Sequence, residues 1–364
     1  MITILLIVIC CAFVIEFIIF FYGLRKSEKT NNIEQEPKVS IIVAARNEET
    51  SIRDCLESLT KIEYPFEKLE IIIVNDQSTD RTESIIREFV ERDARFRLVN
   101  AQAGKGHLIG KANALSQAID ISNGEIILFT DADCLVPPSW VKSTISYFAK
   151  DVGIVGGFTI LEANKIFEGL QSLDWVFLYS VASAAATLGF PLTAVGNNLA
   201  VRRTAYDAVG GYSNIPFSVT EDYLLTREIL AKTGLKMRFP LNRNTVILSK
   251  ACSTLKQLYH QRKRWGIGAL DMVTAGFFAF GIPYAFVLIL LTSIFFVPLN
   301  LMLLVLGIKL ITEIMFIGYS LKRMGAIGYI KYFIFFEIYL VIYVVALPWV
   351  ALLNRKVLWK DRLL

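Results

Sequence analysis

The chain has 364 residues, 54% of them hydrophobic, and a mean hydropathy of +0.50, too apolar for an ordinary soluble protein. Its net charge of +5 is modest, and the basic residues form no stripe with interleaved aromatics, which argues against a nucleic-acid partner. The cysteines, at positions 10, 11, 55, 134 and 252, lack metal-ligand or disulfide-framework spacing and fit a reducing compartment.

Residues 2–23 form an apolar run interrupted by one charge, Glu16, long enough for a bilayer of roughly 30 Å. The run lacks a basic leader and a small-residue cleavage site, so segment 1–24 reads as a retained anchor rather than a removed signal peptide. Arg25 and Lys26 follow it and, by the positive-inside tendency, place the next domain in the cytoplasm. Asn31, Asn32, Glu34, Gln35 and Glu36 lead to Pro37, making 25–37 a linker.

A domain is expected over 38–250. Val39 to Ala44 is a short apolar run suited to a buried strand, and Glu48 to Leu59 carries apolar residues at helical spacing. The alternation repeats: strand Leu69 to Val74, polar turn Asp76 to Asp80, helix Thr82 to Val90, strand Phe96 to Val99, helix Lys111 to Ile119, strand Glu125 to Thr130. Such a pattern predicts an α/β layer with a mostly parallel sheet. Ligands of these sheets bind beyond the carboxyl ends of the strands, and there fall Arg46-Asn47-Glu48, Asp76 to Asp80 and Asp131-Ala132-Asp133.

Each cluster has two readings. Asp131 and Asp133 suit a hard divalent cation bridging phosphates, or a turn and helix cap before Pro137 and Pro138. Asp76 can hold a ligand or cap the following helix. Glu221 and Asp222 can act as acids and bases, or occupy a helix's first turn, where the dipole favours them. Residues 251–276 form an amphipathic segment in which Gln261, Arg262, Arg264 and Trp265 suit phosphate recognition by planar guanidiniums, or a basic interfacial helix. His107 and His260 have no second histidine at metal spacing.

The C-terminal block, 277–353, is apolar. Phe277 to Tyr319 has length for two spans with a turn near Pro298 to Asn300, and Tyr332 to Leu352 offers another. With the anchor this makes four apolar membrane segments. Three crossings after an inside domain would carry Arg355, Lys356, Lys360 and Arg362 of the basic tail, 354–364, outside against the charge rule, while Lys322, Arg323 and Lys331 also favour the inside. A re-entrant or interfacial segment reconciles the two. Lys309 and Glu313, four apart on an expected helix, can neutralise one another.

In order along the chain stand Val39-Ser40-Ile41-Ile42-Val43-Ala44-Ala45-Arg46-Asn47-Glu48-Glu49, Val74-Asn75-Asp76-Gln77-Ser78-Thr79-Asp80, Gly110-Lys111-Ala112-Asn113-Ala114-Leu115 and Thr130-Asp131-Ala132-Asp133. They are followed by Gly196-Asn197-Asn198-Leu199-Ala200-Val201-Arg202-Arg203, Thr220-Glu221-Asp222 and Gln261-Arg262-Lys263-Arg264-Trp265. Together these resemble the family-2 glycosyltransferases of the GT-A fold, particularly membrane-embedded relatives of ceramide glucosyltransferase, hyaluronan synthase and cellulose synthase. Trp359-Lys360-Asp361-Arg362 resembles a cytoplasmic tail motif, usually Trp-Lys-Gly-Arg, of some relatives.

The resemblance implies a GT-A-type domain flanked by transmembrane helices, in an integral protein of the cell (inner) membrane that transfers sugar, with inversion, from a nucleoside-diphosphate sugar to a lipid or lipid-linked acceptor. It implies that Ala45, Asn47, Glu48 and Asp76 hold the nucleotide, that Lys111 and Asp131 face the donor, and that Asp131 and Asp133 bind Mg²⁺ or Mn²⁺. Glu221, Gln261, Arg262, Arg264 and Trp265 fall to the acceptor and diphosphate, and Asp222 to the catalytic base. Asn75 replaces a common aspartate. No Phe-x-Val-Thr-x-Lys gating segment follows Trp265, which favours single addition over a processive polysaccharide synthase. A noncatalytic membrane scaffold and a transporter are the readings from other classes.

Overall fold

The computed structural model describes residues 1–27, 36–104, 106–216, 218, 220–268, 274–353, 358–359 and 362–363. Most of the linker positions (residues 28–35), and Arg355, Lys356, Lys360 and Asp361 of the tail, lie outside the described residues. The chain divides into two compact units, one of residues 28–160 and 194–250, the other of 1–27, 161–193 and 251–364. Residues 161–193, inside the stretch 38–250 taken from the sequence as one domain, thus group with the apolar helices.

The first unit is α/β. In chain order its elements are β1 (Val39–Ala45), α2 (Ile52–Thr60), β2 (Leu69–Asn75), α3 (Thr82–Arg92), β3 (Phe96–Asn100), α4 (Gly110–Asp120), β4 (Ile126–Asp131), α5 (Trp140–Ile145) and β5 (Val152–Gly156). After the short β6 (Thr159–Glu162) it resumes with β7 (Leu199–Arg202), α7 (Arg203–Ala208), α8 (Glu221–Thr233), β8 (Lys236–Arg238) and β9 (Ile247–Lys250). Seven strands form one sheet in the order β3-β2-β1-β4-β7-β5-β8. β1 pairs in parallel with β2 and β4, and β2 with β3; β7 runs antiparallel to β4 and β5.

The strands form where the sequence is apolar on both faces, as parallel strands covered by helices require. Ile41, Ile42 and Val43 of β1, Ile71, Ile72 and Ile73 of β2, and Ile127 and Leu128 of β4 are fully buried. One face packs on α2 through Ile52, Cys55, Leu56 and Leu59, spaced as a single helical stripe. The one polar side chain inside β1, Ser40, has its hydroxyl satisfied twice, donating to Glu70 at 2.6 Å and accepting from the Gly124 amide at 2.7 Å.

Register decides where the polar loops go. Ala45 stands opposite Asn75, Ala44 opposite Asp131, and Asn75 opposite Asn100, so the carboxyl ends of four strands finish level. The chain moves outward from β1 through β2 to β3 and then returns to the other side of β1 for β4. That reversal is the topological switch point at which such sheets open a crevice.

The second unit is helical: α1 (Ile2–Lys26), α6 (Ile166–Thr187), α9 (Leu255–Gly268), α10 (Thr274–Ser293), α11 (Leu299–Met324) and α12 (Phe333–Leu353). Among the described residues, three helices are long and apolar enough to cross a membrane: Ile2–Lys26, Leu299–Met324 and Ile327–Ala346. The fourth expected segment corresponds to α10, which contains Pro283 and whose apolar stretch among the described residues is Ala279–Ser293.

Phe13 and Phe17 of α1 are buried against aromatic rings of α6, α10 and α11, and a Cβ at Gly23 would lie 2.7 Å from the carbonyl oxygen of Ala184, so α1 and α6 approach through that glycine. Lys309 pairs with Glu313, as the spacing suggests, and also with Glu337 of α12. All three are buried, and the cluster ties α11 to α12.

Replacing the fully buried Leu128 of β4 by alanine leaves a cavity at the centre of the sheet. The expected cost is about 2–5 kcal/mol, seen as a lowered midpoint in a denaturation of the purified full chain followed by circular dichroism.

Candidate active site

Three loops meet at the level ends of β1, β2 and β4. The loop after β1 and the loop after β2 brace each other atom by atom. The Asn47 amide donates to the Ser78 hydroxyl at 3.1 Å, its side-chain oxygen accepts from the Thr79 amide at 2.8 Å, and the Glu48 amide donates to Thr82 at 2.8 Å. Asn47 and Gln77 sit at φ of 52° and 57°, a left-handed conformation rare for residues other than glycine and often found at functional loops. Asp80 accepts from the Thr82 amide at 3.0 Å, at the start of α3.

Asp76 is 4% exposed at the end of β2; its amide donates to the Ala45 carbonyl at 2.8 Å, and its own carbonyl accepts from Arg46 at 2.8 Å. The sequence-predicted residues Ala45, Asn47, Glu48 and Asp76 are therefore brought together, with Asn47 spending its side-chain oxygen on the brace. Asn75 donates to Glu83 at 3.0 Å and Asn100 at 2.9 Å, a network that suits an amide because it must donate.

Asp131 is the last residue of β4 and Asp133 lies in the turn beyond it, with Ala132 buried between them. The Lys111 ammonium, on the first turn of α4, is 2.6 Å from Asp131 and 3.8 Å from Glu221. Burial would lower the lysine's pKa, but Asp131, Glu221 and Asp222 outweigh it and hold the ammonium above its usual range.

Glu221 and Asp222 open α8. Asp222 accepts from the Gly196 amide at 2.6 Å and from the Tyr223 amide at 2.8 Å, so both carboxylate oxygens are fixed. Its pKa is pushed up to about 6, by burial first and by the neighbouring Glu221 second, against the pull of Lys111 and the two amides. That value lies near the range in which a carboxylate works as a general base at neutral pH. Occupying a helix's first turn and serving as a base are compatible here.

The remaining sequence-predicted residues lie in the helical unit, on α9. Arg262 is buried against Asp174 of α6 at 2.7 Å and stacks over the Trp265 ring at 4.3 Å. Trp265 itself packs on Trp175, with ring centroids 5.4 Å apart. Gln261 has a buried side-chain oxygen without a hydrogen-bond partner, and Arg264 is partly exposed.

Sequence reading assigned no role to Gly196 or Asp174. Gly196 carries a signal in retrospect, because a Cβ there would lie 2.9 Å from the Asp222 carboxylate; Asp174 lies far from Arg262 in sequence and had none.

The two carboxylates fit a divalent cation in chemistry: they are hard oxygen donors, partly exposed at the strand end. Among the described residues no group of three His, Cys, Asp or Glu side chains gathers to form a protein-only cage. A cation completed by phosphate oxygens needs only one or two carboxylates. Burial, followed by Asp133, Asp131 and Glu48, pushes the Cys55 thiol up.

Comparison with known proteins bears on this arrangement. Residues 40–210 match the family described as Glycosyl transferase family 2, and residues 126–353, more than half of the chain, match Glycosyl transferase family group 2. A beta-monoglucosyldiacylglycerol synthase of Synechocystis is 29% identical over 244 residues, 64% of this chain and 48% of its own length. A poly-beta-1,6-N-acetyl-D-glucosamine synthase of Staphylococcus aureus is 26% identical over 262 residues, 71% of this chain and 60% of its own. The chain thus spans about half the length of the curated relatives it matches. A solved mannosyltransferase of Pyrobaculum calidifontis, in complex with GDP-mannose and Mn²⁺, superposes with a TM-score of 0.60 at 18% identity, covering 93% of this chain and 99% of that one. At that identity the likeness establishes the GT-A-type fold.

Alanine at Gly196 is expected to displace Asp222 from its amide donors and to leave a buried donor unsatisfied, at about 1–3 kcal/mol. A thermal melt of the variant reads the loss, and an unchanged melt with an unshifted Asp222 carboxyl signal in NMR would contradict the assignment.

Proposed function

The chain belongs to the family 2 glycosyl transferases, and from that premise we propose that it transfers a sugar, with inversion, from a nucleoside-diphosphate sugar to a hydroxyl of a lipid or lipid-linked acceptor at the cytoplasmic face of the cell membrane. The observation that carries the reading is Asp222, a carboxylate fixed by two amides with its pKa near 6, in one network with Lys111 and Asp131.

Asp222 takes the proton of the acceptor hydroxyl as its oxygen attacks the anomeric carbon. The bond from that carbon to the phosphate oxygen breaks, and the nucleoside diphosphate leaves with the electron pair. A hydroxyl is a poor nucleophile until a base takes its proton, so a carboxylate whose pKa approaches neutrality is suited to the step. Asp76, Ala45, Asn47 and Glu48 are assigned to the nucleotide. Lys111 is assigned to the charge that grows on the diphosphate, the kind of preorganised electrostatic help whose removal costs about 10²–10³ in rate.

Asp131 and Asp133 would hold a divalent cation, Mg²⁺ or Mn²⁺, which supplies further charge neutralisation to the departing group. Glu221 supports the arrangement by keeping Lys111 charged and Asp222 basic. The assignment of Gln261, Arg264 and Trp265 to diphosphate and acceptor rests on the resemblance of their motif. The three candidate spans support a lipid acceptor, and one relative's name specifies a glycolipid product. The polysaccharide synthase among the relatives supports polymer synthesis as the second reading.

Purified full chain incubated with UDP-sugars and membrane lipids is expected to release UDP and yield a single-addition product. A ladder of products overturns single transfer in favour of polymer synthesis. Asp222→Asn is expected to lose about 10²–10⁴-fold in turnover while keeping the parent's circular dichroism spectrum. Near-normal turnover would remove Asp222 from the role of base.

The pH dependence has a fixed sign. Asp222 must be unprotonated to act, so turnover is expected to be level above about pH 6 and to fall roughly tenfold per unit below it. Lys111 lowers the pKa of Asp222, so among variants that retain measurable turnover, Lys111→Met should move the acid limb upward. A limb that stays in place contradicts the coupling.

A further inference from the structure

The helical unit contains a second polar cluster, built by α6, α9 and α12. Arg262 lies at its centre: its side chain is 5% exposed, its Nη2 is 2.7 Å from an Asp174 oxygen, and it stacks on Trp265 at 4.3 Å and Tyr343 at 5.7 Å. Tyr339 donates its hydroxyl to Asp174 at 3.4 Å. Nη2 is thus engaged by the carboxylate and the guanidinium also meets the Tyr339 hydroxyl, yet neither Nε nor Nη1 has a well-aligned hydrogen-bond acceptor, and neither has the indole N–H of Trp175, the residue next to Asp174.

Arginine and tryptophan side chains carry donors only, so Nε and Nη1 of Arg262 and the Trp175 indole are donors that Asp174 and the tyrosine hydroxyls leave unmatched. Leaving buried donors unsatisfied is costly, and groups of this kind in a native structure call for a partner. The missing partner should therefore be rich in acceptor oxygens. Aromatic rings on several sides add the flat apolar contacts suited to a carbon skeleton bearing hydroxyls.

Charge narrows the choice further. The guanidinium is already paired with a carboxylate, so the cluster is neutral as it stands. A phosphate entering against Arg262 would also meet the Asp174 carboxylate, and that repulsion disfavours an anion. Tyr339 and Tyr343 lie on the stretch Ile327–Ala346, which is long and apolar enough to cross a membrane, so a ligand reaching them can arrive from within the bilayer.

We infer that the Asp174, Trp175, Arg262, Trp265, Tyr339 and Tyr343 cluster binds the uncharged, hydroxyl-bearing headgroup of a lipid. The inference rests on the lipid-acceptor reading above and specifies it: the acceptor carries a neutral polyol or glycerol ester headgroup, not a phosphate.

The test is binding, read without turnover. The full chain in detergent is melted with dioctanoylglycerol, with the same molar amount of glycerol, and with dioctanoyl phosphatidic acid; a ligand that binds the folded state raises the midpoint. Dioctanoylglycerol is expected to raise it, with no comparable rise from glycerol or the phosphatidic acid. Trp175→Phe keeps the ring and deletes one donor, and Arg262→Lys keeps the charge opposite Asp174 while losing the planar fork. Each is expected to weaken dioctanoylglycerol binding, Arg262→Lys by tenfold or more.

A midpoint raised equally in both variants and the parent would overturn the site, as would stabilisation by phosphatidic acid alone. Stabilisation by glycerol equal to that by dioctanoylglycerol would overturn the lipid part. Binding that behaves as expected while no UDP-sugar is ever turned over would sink the proposed reaction and leave this site standing.

Discussion

The ammonium of Lys111 organises the acidic end of the sheet. It touches Asp131 and approaches Glu221, and it restrains the upward shift that burial and Glu221 impose on Asp222. Charges of one sign gathered at low dielectric raise one another's pKa until some are neutralised. One cation among three carboxylates therefore leaves Asp222 poised near neutrality. Without it the same side chains would form an acidic patch with no division of labour.

That division depends on position, and position comes from strand register. Because Ala45, Asn75 and Asp131 end their strands level, the short loops beyond them have to share one crevice, and the hydrogen bonds between Asn47, Ser78 and Thr79 fix two of those loops to each other. The left-handed backbone at Asn47 and Gln77 is held by these bonds. Rigid loops on buried strands are what electrostatic preorganisation requires.

The α/β pattern was legible because its signals are local. Continuous apolar runs marked β1, β2 and β4 to within a residue or so, and the stripe through Ile52, Leu56 and Leu59 marked α2. The order of short motifs then identified the family, where the Asp131 and Asp133 pair alone reads equally as a turn. The grouping of α6 with the apolar helices was less visible, since its buried face mixes Ala and Ser with Asp174 and Gln171 and no span-like run announces it. The pairings of Lys111 with Asp131, Asp174 with Arg262 and Lys309 with Glu337 join residues remote in sequence, and no spacing rule finds such pairs. Gly196 lay within a recognised motif, but its purpose, room for the Asp222 carboxylate, emerges only from coordinates.

The proposal on which the rest depends is that the ends of β1, β2 and β4 form one nucleoside-diphosphate site in which Asp131 and Asp133 would hold a divalent cation. Calorimetric titration of UDP into the full chain, with and without Mn²⁺, in the parent and in Asp133→Asn, tests it most directly. The account predicts saturable binding that weakens at least about tenfold when either the cation or the Asp133 carboxylate is withdrawn, with no further loss when both are absent, as expected of two parts of one interaction. UDP binding that is indifferent to Mn²⁺ and unchanged in the variant would contradict it.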